Sequence, residues 1–600
     1  MDTAFSDAAS LVRAHDVHYG VNGKTSVLHY VACSPVECLA VWHSEVLPEP
    51  VPKHVTSGGG DGIGDVGTEL CLALQTALPG FQRILLDGGR LSLTLCVGNL
   101  SDLLSAQDFQ ADEVHLYANE AVDEPVWDKW TVQALSRRCR RGTRVHLNIT
   151  SPVEAQSAQW VAKMQALMQT AGFEWSTHDL ESHNPAPAIQ YNPGWTSKNT
   201  RSPVRPRTPP LPHTQRCAVI GGGLAGATIA HALALRGYGV TVCDAAPEPA
   251  AGASGLPVGV LVSHVSVDDS PRSRLSRVGV RLMLQHAQRL LRSGDEFLAN
   301  GVLQITGQAA GLLQHNPNLQ QQGWIAPGNG AHQLWHPLGG WIRPAALIRA
   351  WLQHPGIHWR GGAKVQRLER KAGGWDLVGN EGQNLLQADI VVIANAMGAQ
   401  SLIKTIAQDD PVSPDLLDKL AALEALHGTV SHGVCSPEMS ALLPPFAVNG
   451  SGSLVHTPGD LQMRNWFAGA TYSAGTLPLD EHSRHHAENL RRLTALSPAI
   501  AAHLASEYAH APPQAWTGTR CVTHDRLPMV GPVDQSGESG LWLNVGLGSR
   551  GLSLSALCAE LLVAKLGNEP LPVEAKLARS LDAHRIHRKT LIAEKIETPT

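Results

Sequence analysis

Six hundred residues exceed what one hydrophobic core organises, so two to four domains are expected. Hydrophobic content of 43% against 16% charged residues excludes a disordered or fibrous chain. A net charge of −5 gives nucleic-acid binding no support in bulk, so any such contact must come from a local patch. With no run of about eighteen uncharged apolar residues and no charged-then-apolar leader, neither a membrane span nor a secretory signal is expected. Ten scattered Cys, without a CxxC pair or zinc-type Cys/His spacing, read as small buried hydrophobes of a reducing cytoplasm, and no metal site is expected.

Residues 1–175 alternate strands and helices. Strands are predicted at Val27 to Ala32, Leu91 to Val97, Glu113 to Tyr117 and Arg144 to Ile149, and helices at Lys129 to Arg138 and Ala155 to Ala171. From 176 to 215 Pro, Ser, Asn and Arg dominate without hydrophobic period, which predicts a semi-rigid linker made basic by Lys198, Arg201, Arg205 and Arg207.

Residues 216–600 open on CAVIGGGLAGATIAHALALRGYGVTVCD, a strand, glycine turn, helix and second strand ending in an acid. Gly221 permits the tight turn, Gly223 lets backbone approach a pyrophosphate, and Gly226 lets the helix pack on the strand. Leu224 and Ala225 begin a helix whose N-terminus presents free N–H groups to that pyrophosphate. Ala230, Leu233 and Ala234 form its apolar face, and Gly237 ends it. Asp244 is placed to accept from an adenosine ribose, which favours FAD or NAD over NADP.

Small residues recur shortly afterwards in GASGLPVG, with Ser254, Gly255 and Gly259, where a flat ring system needs close backbone approach. QADIVVIANAMG brings a buried strand to Gly398. LWLNVGLGSRGL brings another to Gly546, Gly548, Ser549, Gly551 and Leu552, then a helix. Three glycine-ended strands so far apart predict a discontinuous nucleotide domain with an inserted substrate domain. That interruption favours a flavin enzyme, and these positions together are the expected cofactor-binding set.

GGGLAGATIA, GASGLPVGVL, GGWIRPAAL, TRCVTHDRLPMVGPV and GLGSRGLSLSALCAELL, in this order, resemble the C-terminal half of the bifunctional tRNA 5-methylaminomethyl-2-thiouridine biosynthesis proteins, over Arg216 to Arg588. The resemblance implies an FAD-dependent oxidoreductase of the glycine-oxidase and D-amino-acid-oxidase type. Its partner is tRNA, at the wobble uridine, with neither DNA nor membrane expected. The carboxymethylaminomethyl group would be oxidised at the C–N bond beside the carboxylate and hydrolysed to aminomethyl and glyoxylate. Arg343, Arg526 and Arg550 lie in family-like motifs and are the candidate carboxylate clamps, because a planar guanidinium binds a carboxylate bidentately. Each also reads as a surface ion pair, and His524 and Asp525 read as turn-structuring. The sequence sets no oligomeric state.

In the N-terminal half, FQRILLDGGRLSLTLCVGNLSDLL, VWDKWTVQALSRRCRRGTRVHLNITS and AGFEW resemble that family's S-adenosylmethionine-dependent methyltransferase domain. The cofactor positions depart from it. DTAFSDA (Asp2 to Ala8) replaces the glycine loop, Cys33 and Ser34 stand near a lost acid, Asn99 replaces another, and Tyr117 to Glu120 replace an LDGF segment. The chain begins at that loop, so the preceding segment of the domain is expected to be lacking. A degenerate domain without S-adenosylmethionine is therefore expected, with Arg137, Arg138, Arg140, Arg141 and Arg144 available as a phosphate contact or as a solvated helix end. The fold class is α/β: a Rossmann-like methyltransferase-type domain, a Pro-rich linker, and an FAD-binding Rossmann domain with an inserted α+β substrate domain. Three other readings stay open: an enzyme that also methylates its product, a free glycine or D-amino-acid oxidase, and a non-catalytic tRNA-binding flavoprotein.

Overall fold

The computed structural model describes residues 27–44, 66–75, 77–118, 127–149, 154–176, 188–195, 215–406, 412–458, 464–474, 482–508 and 512–585, with seven single residues among the first eighteen. Most of Asp2 to Ala8, Asn119, Glu120, Lys198, Arg201, Arg205 and Arg207 lie outside them. The chain divides into one compact unit of Met1–Pro210 with Ala564–Ala578, and a second of Leu211–Val563 with Arg579–Thr600.

In the first unit Leu28–Ser34 and Leu91–Val97 run parallel, with Gly80–Leu86 antiparallel at their edge. Ala111–Ala118 and Cys139–Ile149 run parallel in a four-stranded sheet closed by Ala188–Tyr191 and Phe173–Ser176. Asp2 forms parallel bridges to Ala32 and His115 and so joins the two sheets. Alternation along Leu28–Ser34 sends Tyr30 and Ala32 into one apolar cluster with Leu70 and Leu93, and Val31 and Cys33 into another with Val114 and Leu116. A sheet buried on both faces is the α/β layer pattern.

Three expectations need correction here. Ala188–Tyr191, inside the expected linker, is a strand hydrogen-bonded to two neighbours, because AIQY supplies apolar residues at alternate positions and Ile189 is buried. Ala564–Ala578 packs in the first unit, where Arg83 donates to the Pro570 carbonyl and Gln107 Nε2 to that of Leu571 at 3.4 Å. The arginine cluster is not an open cationic patch. Arg140 pairs with Asp112, Arg144 with Glu113, Arg138 lies 3.8 Å from Asp108, and Arg141 donates to Asn192 and Pro193.

The second unit is built on a six-stranded sheet in the order Ile357–Arg360, Gly239–Cys243, Arg216–Ile220, Ile390–Ile393, Leu541–Val545, Met529–Pro532. All pairs are parallel except the last. The three glycine-ended strands predicted from sequence are thus its adjacent central strands. The helix Leu224–Leu235 is buried all round rather than along one face, since ten of its residues, His231 among them, are buried. A nine-stranded sheet forms the inserted portion, where Glu424–Val434 pairs with Arg464–Gly469, Ser473–Ala474 and Gln514–Val522.

At the end of the helix Leu224–Leu235, Arg236 meets Glu560 of the helix Gly551–Gly567 in a two-pronged ion pair at 3.2 and 3.0 Å, with both side chains at most 6% exposed. Removing one partner of such a pair strands a desolvated charge. Glu560→Leu is expected to lower unfolding free energy by about 3–5 kcal/mol in chemical denaturation, and pairing it with Arg236→Met to restore most of the loss.

Candidate active site

The first strand runs into its glycine turn at Gly221, where φ is +115° and a β-carbon would lie 2.6 Å from the Ala394 carbonyl oxygen. A β-carbon on Gly226 would overlap the Gly221 oxygen, so the helix can lie this close only with glycine there. One on Gly223 would press on Ser254 Oγ at 3.0 Å, and that hydroxyl accepts from the Leu224 N–H at 3.0 Å. Asp244 accepts through its two carboxylate oxygens from the N–H groups of Gly222 (2.6 Å) and Ala246 (2.8 Å). Its first effect is therefore to fix the loop, beside whatever ribose it also reads.

Gly221, Gly222, Gly223 and Asp244 line a cleft of about 960 Å³. Leu224, Ala225, Ser254, Gly259 and Gly398 share that lining, as does the whole run Gly546 to Ser553. Gly255 lies beside it, where a β-carbon would meet the Ala250 oxygen at 2.6 Å. Gly546 and Gly548 have φ of +79° and +57°, conformations that side chains other than glycine's rarely adopt. From this turn the helix Gly551–Gly567 starts at the cleft wall. Glycine cradles, two helix N-termini and a loop-fixing acid are the groups that a dinucleotide cofactor with an extended pyrophosphate needs.

The predicted arginines separate. Arg550 lines the cleft, and burial first, then neighbouring Arg272, pushes its guanidinium down to about 10, against a raising contribution from Tyr472. Arg343 does not line it. Arg343 stands at the N-terminus of the helix Pro344–Leu352, donating to the Asp295 carbonyl at 2.9 Å and to Thr457 Oγ1 at 2.9 Å. It faces a surface depression with Arg292 and Glu296. Arg526 is exposed in a turn, at φ +62°, and is absent from the cleft. Asp525 takes the turn role expected of it, accepting from the Leu527 N–H and pairing with Arg585 at 2.8 Å. His524 is exposed in the same turn.

The groups that sequence reasoning missed are Arg520, Arg492 and Tyr472. All three line the cleft. Among the described residues Arg520 Nη1 is buried with no hydrogen-bond partner, and its guanidinium lies 4.8 Å from the Tyr472 ring centroid. That of Arg492 lies at 5.6 Å, held by Glu488 at 2.6 Å and the Ala470 carbonyl at 3.1 Å. A signal for Arg520 was present. It precedes CVTHDRLP on a strand, whereas Arg526 follows Asp525 where the chain turns.

One further cluster, Glu113, His115 and His146, brings its donor atoms within 4.8 Å of one another in the first unit. Its two imidazoles stack at 4.8 Å with planes 17° apart, so their in-plane lone pairs run side by side instead of converging. Glu113 is already engaged with Arg144.

Residues 216–565 match the family model described as FAD dependent oxidoreductase. The chain is 43% identical over 544 residues to the tRNA 5-methylaminomethyl-2-thiouridine biosynthesis bifunctional protein of Albidiferax ferrireducens, covering 87% of this chain and 83% of that one. The chain belongs to that family. A second relative with the same name, from Polaromonas naphthalenivorans, is 38% identical over 525 residues, covering 84% of this chain and 78% of its own. Among solved structures, glycine oxidase from Geobacillus kaustophilus matches 59% of this chain and 95% of its own at 23% identity and a TM-score of 0.47. The second unit is thus an FAD-dependent oxidoreductase acting on a C–N bond, and FAD is its cofactor, in line with the donor set just described. Among the described residues no helix is long and apolar enough to cross a membrane.

Gly226→Ala forces a β-carbon into the Gly221 carbonyl, and overpacking of this kind costs about 1–3 kcal/mol. The variant is expected to purify with depleted flavin, and FAD titration by fluorescence quenching should show an affinity weakened roughly 5- to 150-fold.

Proposed function

We propose that the chain converts the 5-carboxymethylaminomethyl group of a tRNA wobble uridine, with or without 2-thiolation, to 5-aminomethyl, releasing glyoxylate, in the cytoplasm. Water enters the substrate, and bound FAD supplies the acceptor for the two electrons and two hydrogens removed at the C–N bond. The observation that carries this reading is the unpartnered, buried Nη1 of Arg520 in a cleft that Arg550 also lines. A half-buried guanidinium with an unpartnered nitrogen suits an anionic group, and the glycine-type arm of this substrate ends in a carboxylate.

The work of the chain's own residues is placement. Arg520 and Arg550 hold the carboxylate and so fix the adjacent methylene and nitrogen. Gly221, Gly223 and Gly226 with the helix N-terminus at Leu224 and Ala225, Asp244, Ser254, Gly255 and Gly259 would hold the nucleotide part of the cofactor. Gly398 and the segment Gly546, Gly548, Ser549, Gly551 and Leu552 would hold the rest. Partial positive charge at the helix start after Gly551 would stabilise negative charge at the far end of the cofactor.

In the first unit Asn99, where the family places an acid, caps the helix Leu100–Ala106 by accepting from the Asp102 N–H at 3.2 Å. This supports a methyltransferase-like unit that does not hold S-adenosylmethionine. The relatives' printed name favours a second reading, in which the unit still methylates the aminomethyl product.

Nucleoside mass spectrometry on carboxymethylaminomethyl-uridine tRNA, with and without S-adenosylmethionine, tests both. Aminomethyl-uridine in both tubes is expected. Methylaminomethyl-uridine in the supplemented tube would establish the second reading, and unchanged nucleoside would overturn both. Arg520→Met should lower kcat/KM for this substrate roughly 30-fold or more, as loss of a desolvated charge partner does. Arg526→Ala should stay within about twofold, as an exposed turn position.

A further inference from the structure

Eight large apolar side chains stand exposed among the described residues, and Tyr472, at 49%, is the one of them that lines the cleft. The other aromatic ring in that lining, Phe467, is buried at 6%. An aromatic face left to water inside a cleft offers contact area to a flat ligand. This ring is also held in place. Arg520 stands 4.8 Å and Arg492 5.6 Å from its centroid, and Arg492 is itself fixed by Glu488 and the Ala470 carbonyl. Asn449 and Ser451 bring an amide and a hydroxyl to the same lining. An aromatic ring beside cations, in a cleft that also offers hydrogen-bonding groups, is how single unpaired nucleotides are recognised: the base stacks, and cations meet its anionic groups.

We infer that Tyr472 is the stacking platform for the uracil ring of the substrate nucleotide, which leaves Arg520 free for the carboxylate at the end of the ring's substituent. This rests on the function proposed above. It adds that the enzyme reads an unstacked base and not only the glycine-like arm. Free amino acids, which lack the ring, forgo this contact.

The test uses the full-length holoenzyme and fluorescein-labelled anticodon stem-loops with either unmodified uridine or an abasic site at the wobble position. Neither carries the carboxylate arm, so their difference in Kd, read by anisotropy, isolates the base. For the unaltered protein the abasic site should weaken binding about 5- to 150-fold, the range of one base–aromatic stack. Tyr472→Phe should keep that penalty. Tyr472→Ala and Tyr472→Leu should abolish it while retaining flavin and thermal stability. Leucine separates stacking from bulk, and a penalty that survives in the leucine variant overturns the inference. So does the absence of any penalty in the unaltered protein. Failure of the parent reading shows elsewhere, as a modified stem-loop that does not bleach the flavin absorbance of the unaltered enzyme.

Discussion

The cofactor end of the cleft depends on one close approach, that of the Gly221 carbonyl oxygen to the α-carbon of Gly226. With the helix lying this near the strand, its N-terminus sits at the cleft wall, where Ser254 Oγ takes the Leu224 N–H and Ala225 shares the lining. The same turn sets its neighbours. The Gly221 N–H reaches the Cys243 carbonyl at 2.8 Å, the Ala394 N–H reaches that of Ile220 at 2.9 Å, and the Gly222 N–H reaches Asp244. Three strand ends therefore finish at one level, and the loops after Ile220, Cys243 and Ile393 wall a single space. Parallel strands bring their carboxyl ends to the same edge, so chemistry collects there whatever the distance along the chain.

The substrate end is governed by charge. Arg550 is depressed to about 10 by burial and by Arg272, which means its cationic form is poorly solvated in this state. Arg272 donates to the Asp525 carbonyl at 3.1 Å, and among the described residues Arg520 Nη1 has no hydrogen-bond partner. An incoming carboxylate relieves this arrangement, and does so more strongly in a half-buried cleft than it would in water. A chain with net charge −5 can in this way receive an anionic group, because Arg520 and Arg550 bring local positive charge to the cleft.

How much of this was legible from sequence depended on whether the cause was local. The turn at Gly221, the helix to Leu235, and the glycines at 546, 548 and 551 follow from backbone requirements that neighbouring residues announce. Arg520 depends on pairing. It reaches the cleft because Gln514–Val522 lies antiparallel to Glu424–Val434, with Arg520 opposite Leu426, a juxtaposition nearly a hundred residues apart and invisible to periodicity. Arg343 and Arg526 were misplaced for the complementary reason. Both sit in motifs that carry the family resemblance, but a helix start at Pro344 and a left-handed turn at Arg526 direct them elsewhere. The strand Ala188–Tyr191 was hidden by the proline-rich composition on both sides of it, although four alternating residues suffice for a strand once a partner is present.

The first unit is held together by its core. Its sheet is held by alternation: Leu91, Leu93, Leu95 and Val97 feed one cluster and Cys96 the other, and each is at most 1% exposed. Replacing any of these costs core packing. Asn99 lies instead at a helix start, outside both clusters, and caps that helix by accepting from the Asp102 N–H. Arg138, Arg140 and Arg144 face Asp108, Asp112 and Glu113, which offsets part of their charge while contributing little to stability at so exposed an edge. The architecture of the first unit thus rests on its two apolar clusters, whichever residues occupy its surface loops.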